Sequence, residues 1–314
     1  MSTTTAGPRP GVLSATLLVL LPLGCLAWAF GSALTELWTA WQTSEQYSHG
    51  FLVPPFAVFL LWLRRDRLDV AALRPALGWG LLLLAAGLGL RLYGAYFHYI
   101  WLNTITLVPC VAGLCLLLGG WAAWRWAWPA ILFLAFMVPL PWGVSTYLSA
   151  DLQRIATVSS TFILQVFGLP ALAEGNVIQL NDAAINVVEA CSGLRMLVVF
   201  FALATAVALV IRRPLLDRIL IVASAVPIAV LSNIIRITVT GILHQTISSE
   251  TANAFFHDVA GWLMMPLALA LLAVELKVFK HLFIEAPARP ALSARQPVPR
   301  RQRPARVQQA PGPA

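Results

Sequence analysis

Charge is what this chain has least of. Only 11% of its 314 residues are charged and 59% are hydrophobic, with a mean hydropathy of +0.79. An ordinary soluble domain carries about a quarter charged residues, so the deficit excludes a soluble globular protein and places the chain among polytopic membrane proteins. Lysine is nearly absent, Lys277 and Lys280 being the only two. Cysteine is scarce as well: Cys25, Cys110 and Cys115 lie inside apolar runs without a CxxC spacing or histidine partners, and Cys191 stands alone at a boundary. The first three read as small packing residues, and neither a metal nor a cofactor is expected. No HExxH and no pair of intramembrane carboxylates occurs, which argues against a membrane metalloprotease.

The charge that is present is informative. A net charge of +8 would suit a nucleic-acid partner if it were clustered on a soluble face. Here the basic residues sit in short loops between apolar runs and in the C-terminal tail, the pattern that sets membrane orientation. Candidate spans are Val12–Leu34, Phe51–Leu63, Ala76–Leu90, Ile100–Gly120, Trp126–Trp142, Met196–Ile211, Ile219–Leu243 and Val259–Val274. The first is too long for a signal-peptide core and is taken as a retained span. Several of the others fall short of the roughly 20 residues that cross a bilayer unaided, so flanking polar residues must be packed inside protein. Arg64, Arg65, Arg67, Arg74, Arg125, Arg212, Arg213, Arg218, Lys277 and Lys280 all fall on one side if the chain crosses eight times with both termini inside. The fold class expected is therefore an all-α polytopic membrane protein of about eight transmembrane helices.

Two outer segments complete it. Between Ser145 and Gly168, Leu148, Leu152, Ile155, Phe162 and Val166 recur at helical spacing around Asp151, Gln153 and Arg154, which predicts an amphipathic helix at the outer interface. After it, "EGNVIQLNDAAINVVEAC" alternates around an Asn181-Asp182 turn signal, which predicts a short β-hairpin. Residues 1–285 form one membrane domain in this reading. Residues 286–314, rich in proline, arginine and glutamine, form a disordered cytoplasmic tail.

With this topology three polar residues arrive at one membrane face. Cys191 opens the sixth span, Arg236 lies about two turns from the outer end of the seventh, and His257 just precedes the eighth. Together they are the parts of a thiol-nucleophile site. A helix N-terminus, an imidazolium and a guanidinium each lower a thiol pKa. His257 would act as general base and then acid, and Arg236 would stabilise an oxyanion or fix a substrate carbonyl. Each also has a plainer reading: Cys191 as a small helix-start residue, Arg236 as a partner for Glu189 or Asp258 or a snorkelling cation, His257 as an ordinary loop residue. Secondary candidates are Arg195, four residues past Cys191; Asn233, on the face of Arg236; Asp258, beside His257; and His49, at the outer end of the second span.

The runs "EACSGLR", "SNIIRI" and "FHDVAGW", in that order on outer span ends, resemble the exosortase/archaeosortase family, as do "YSHGFLVPPFAVFLLW" and "FMVPLPWG". The resemblance covers roughly residues 36 to 282. It implies an inner-membrane cysteine protease and transpeptidase, with Cys191 as nucleophile and Arg236 and His257 as its partners. The implied substrates are secreted proteins ending in a short motif such as Pro-Glu-Pro (PEP-CTERM-like), a transmembrane helix and a basic cluster. Cleavage would pass them through a thioester to an unidentified acceptor, a lipid or a glycan, in association with exopolysaccharide production. A competing class is a polysaccharide or lipid-linked glycan transporter or assembly factor, which would distribute charge through several mid-membrane positions. The centres of most spans here are free of charge.

Overall fold

A computed structural model describes residues 12–44, 46–180, 184–187, 193–211, 213–246 and 260–282. Cys191, Glu189, His257, Asp258 and the C-terminal tail lie outside the described residues. The helices are α1 Val12–Ala29, α2 Gly31–Thr43, α3 Val53–Leu63, α4 Leu77–Tyr96, α5 Ile100–Ile105, α6 Leu107–Phe133, α7 Trp142–Val166, α8 Gly193–Val210, α9 Leu215–Thr246 and α10 Ala260–Leu282. A three-residue strand each, β1 Leu172–Glu174, β2 Val177–Gln179 and β3 Ala184–Asn186, form one antiparallel sheet in sequence order.

The chain is mainly helical and membrane-type, and a count of eight spans is not confirmed. Among the described residues four helices are long and apolar enough to cross a bilayer, or five if α1 and α2 form one broken span bent by 68°. The expected first span ends at that bend, where the Arg91 guanidinium sits over the Phe30 ring at 4.5 Å and its Nη2 donates to Ser32 Oγ at 3.3 Å. The expected second span is an 11-residue helix preceded by the 3-10 turn Ser48–Leu52, too short to cross alone.

The fourth and fifth expected segments form a continuous helical stretch that reverses at Gly120. That residue has φ 63° and ψ −154°, outside helical values. Val108 and Ala112 pack with Ala127 and Ile131, although a straight helix would hold Ala112 and Ala127 about 22 Å apart. The two halves of α6 are therefore antiparallel. Any β-carbon at Gly120 would collide with the Arg74 carbonyl oxygen.

Each half of α6 has its own partner. The first half runs against α4, where glycines at seven-residue spacing let the backbones close up. A β-carbon on Gly80 would lie 2.8 Å from the Leu117 nitrogen of α6, and one on Gly94 would lie 3.0 Å from the Asn103 nitrogen of the preceding helix, α5. Without water there is little hydrophobic drive between helices in lipid, so such close approach supplies the packing. The second half runs against α3: Trp126 Nε1 donates to the Leu61 carbonyl at 3.1 Å, and Arg64 Nε to the Trp126 carbonyl at 3.0 Å.

The remaining helices form a second group. Met196, Phe200, Ala204 and Ala208 of α8 meet Ile221, Ala225 and Ala229 of α9 and Leu272 of α10. Alternate turns of alanine on these faces allow tight crossing. Helix α7 lies along the second half of α9: Ser160 Oγ donates to the Ile234 carbonyl at 3.3 Å, and the Leu164 side chain abuts Gly241. The sheet closes this corner with Ile178, Leu180 and Ile185 packed among Ala156, Leu164 and Ile237.

Two features expected at the outer face differ from expectation in detail. The amphipathic helix is present, but its orientation is set by its polar side. Ile155, Phe162 and Val166 are exposed, while Ala156, Thr157, Ser160 and Thr161 are buried. The hairpin is a three-stranded sheet, because β1 pairs with β2 through a two-residue Gly175-Asn176 connection, with Gly175 at φ 61°. Gly-Asn is a hairpin turn signal, and it was present in the sequence.

Gly120→Ala forces a side chain into a backbone region that is almost glycine-only and into the Arg74 carbonyl. It should cost at least about 1–3 kcal/mol, read as a lower thermal unfolding midpoint in detergent. Gly78→Ala, with open space around it, should leave the midpoint unchanged or raise it.

Candidate functional site

Helix α9 is apolar through Leu231, Ile234, Ile235, Ile237 and Val239, yet polar residues interrupt it at Ser232, Asn233, Arg236, Thr238 and Thr240. The spacing of 232, 233, 236 and 240 puts four of them along one side. All five are buried, with Ser232 at 0%, Asn233 at 2% and Arg236 at 6% exposure. A polar side in an apolar helix must face protein, because lipid offers no hydrogen bonds. Thr240 follows that rule by donating to the Arg236 carbonyl at 2.9 Å. Several neighbours do not: Asn233 Oδ1, Ser232 Oγ, Thr238 Oγ1 and, on α7, Thr161 Oγ1 are buried without a hydrogen-bond partner among the described residues.

The Asn233 carboxamide points at the start of α8. A β-carbon on Gly193 would lie 3.2 Å from Asn233 Nδ2 and 3.4 Å from Leu152 Cβ. Three elements thus meet at one residue: α7 through Leu152, α9 through Asn233, and α8 through its first described position. A larger residue there would press on the Asn233 carboxamide, which would have to give by a few tenths of an ångström, so the glycine of "CSG" suits a close junction. Cys191 precedes Gly193 by two residues in the chain.

Of the sequence candidates, the structure brings Asn233 to the head of α8 and buries Arg236 one turn further along α9. Arg195, two residues into α8, is half-buried. His49 is held elsewhere. It is buried in the turn before α3, with Nε2 3.1 Å from the Phe136 carbonyl at the end of the α6 stretch. Burial pushes its imidazole pKa down, opposed by that backbone contact. Cys191, Glu189, His257 and Asp258 fall outside the described residues. Among the other thiols, Cys110 is buried, Cys115 half-buried and Cys25 exposed rather than packed. Among the described residues no group of three or more His, Cys, Asp or Glu could hold a metal ion.

Sequence reasoning missed Gly193 and Leu152 as positioning residues, and it missed the unpaired hydroxyls of Ser232 and Thr238. The signal for the last two was available, since polar residues recur through "LSNIIRITVT" at helical spacing. Chemically, the cluster offers a fixed guanidinium and a carboxamide in low-dielectric surroundings. Groups of that kind stabilise developing negative charge more strongly than they do in water.

A family model described as transmembrane exosortase matches residues 41–274, well over half of the chain and inclusive of every candidate from His49 to Asp258. No curated protein and no solved structure matches.

A buried, unpaired amide oxygen costs about 1–3 kcal/mol. Asn233→Leu, of similar volume, should therefore unfold at an equal or higher temperature than the parent chain. A drop of several degrees in detergent would show that Asn233 is there for stability.

Proposed function

The chain belongs to the transmembrane exosortase family, and from that premise we propose that it is a membrane-embedded cysteine protease and transpeptidase. The thiol of Cys191 attacks the scissile carbonyl of a substrate peptide while His257 removes its proton. Arg236 stabilises the resulting oxyanion, or holds the substrate carbonyl that becomes it. Collapse of the tetrahedral intermediate expels the C-terminal part as an amine, which takes the proton from His257. The substrate's N-terminal part is left as a thioester on Cys191. A nucleophilic acceptor then attacks that thioester and regenerates the thiol.

What supports this reading is the contact between Asn233 and Gly193. It ties the polar side of α9, Arg236 included, to the head of the helix that follows Cys191 by two residues. In the proposal Asn233 fixes that junction, Arg195 and Glu189 flank the nucleophile, and Asp258 orients His257. His49 supports the neighbouring wall. The protein resides in the bacterial inner membrane with both termini in the cytoplasm and the reacting groups on the periplasmic side. Its membrane domain covers residues 1–285, and residues 286–314 form a basic cytoplasmic tail. Substrates are secreted proteins with a C-terminal sorting signal of PEP-CTERM type, and the acceptor belongs to the lipid or glycan components linked to exopolysaccharide production.

Processing of a co-expressed tagged substrate tests the assignment. Cys191→Ala should abolish cleavage while the protein stays in the membrane at parental level. His257→Ala and Arg236→Ala should slow it at least about 100-fold, the low end of what general acid–base and oxyanion groups supply. Unchanged cleavage by Cys191→Ala would overturn the proposal and leave the transporter or assembly-factor reading in its place.

A further inference from the structure

A cavity of about 920 Å³ opens between α2, the turn before α3, the end of α4, α5 and the start of α7. That is within the roughly 300–1,000 Å³ of small-molecule sites. It sits at the end of α4 remote from Arg74 and the Gly120 reversal. Its wall includes Glu36, Tyr47, Tyr93, His98, Tyr99, Trp101 and Trp142, and among the described residues no lysine or arginine. Glu36 has no ion pair among the described residues. Its Oε2 accepts a hydrogen bond from Asn103 Nδ2 at 3.3 Å, which orients the carboxylate without neutralising it. The nearby guanidinium of Arg91 is engaged with Ser32 and the Phe30 ring. The turn that delivers Tyr99 and Trp101 contains His98 at φ 58°, a left-handed backbone at a non-glycine residue. Such conformations persist where the surroundings enforce them, commonly at binding segments.

A carboxylate without an ion pair among the described residues, in a cavity whose wall carries tyrosines and tryptophans, selects for positive charge. The carboxylate supplies the counter-charge, and the electron-rich faces of tyrosine and tryptophan attract a desolvated cation. An anion would meet the Glu36 carboxylate and, among the described lining residues, no lysine or arginine to offset it. We propose that this cavity binds an organic ammonium group, carried by a lipid headgroup or by a free amine. The cavity and the candidate site share helix α7. Ser145 lines it, and Leu152, which meets Gly193, lies about 10 Å further along α7. The binding stands whether or not Cys191 is the nucleophile.

The test uses the full chain purified in detergent. It is equilibrated with equal amounts of phosphatidylethanolamine and phosphatidylglycerol, and co-purifying lipid is quantified by mass spectrometry. Binding of free ethanolamine and choline is measured on the same preparation by calorimetry. Enrichment of phosphatidylethanolamine by at least about three-fold, the low end of what cation–π contact delivers, identifies a headgroup as the source. Binding of ethanolamine or choline without lipid enrichment identifies a free amine. In either case the signal should be lost in Glu36→Gln and in Tyr99→Ala, and kept in Glu174→Gln, whose carboxylate lies on β1 outside the cavity. Equal retention of both lipids with no amine binding overturns the proposal. So does a signal that survives in Glu36→Gln or, should that variant fail to fold, in Tyr99→Ala.

Discussion

A guanidinium buried inside an apolar helix bundle dictates what must surround it. Arg236 is 6% exposed on a helix rich in leucine, isoleucine and valine. In hydrocarbon such a charge is expensive unless protein groups enclose it. The polar side of the second half of α9 therefore cannot face lipid, and the fold around it follows. Helix α7 turns its small and hydroxylated side inward and leaves Ile155, Phe162 and Val166 outside. The sheet caps the corner, and α8 begins where its first residue, a glycine, fits against Asn233. The unpaired oxygens of Ser232, Asn233 and Thr238 show that enclosure is achieved at some cost to hydrogen bonding. A bundle selected for stability alone would use apolar residues there.

The first half of the molecule rests on a different device. Glycines on α4 bring its backbone onto α6, and α6 doubles back at Gly120 to meet α3. Aromatic residues join the two groups: Phe136, whose carbonyl meets His49, has its ring 5.9 Å from that of Phe201 on α8. Ala206 of α8 packs into the same core as Leu60 and Phe133. The cavity and the polar side of α9 are thus two features of a continuously packed bundle, connected along α7.

Composition and hydropathy sufficed to read the class of protein, because a charge deficit of this size has a single physical outcome. The order of the apolar segments was legible too, as was the amphipathic character of α7, since both are periodic. Span count was not. Hydropathy cannot tell that Phe30 marks a bend held by Arg91, or that the helix before Leu63 has only 11 residues. The third strand was missed because β1 is three residues long and carries its signal in the turn that follows. At the candidate site, Arg236 and Asn233 stood out as polar residues in an apolar run. Gly193 did not, because a glycine at a helix start has many explanations until the carboxamide pressed against it is known. His49 was conspicuous in sequence, but its partner, a carbonyl 87 residues away, is a matter of tertiary packing.

The central claim is that Cys191 carries the substrate as a thioester. Intact-mass analysis of the chain recovered after co-expression with a substrate bearing a C-terminal sorting signal addresses it most directly. The proposed function predicts an added mass equal to the substrate's N-terminal part, mapped to Cys191 and removed by neutral hydroxylamine. A chain that processes substrate while never showing a hydroxylamine-sensitive adduct at Cys191, even with acceptor withheld, would contradict it.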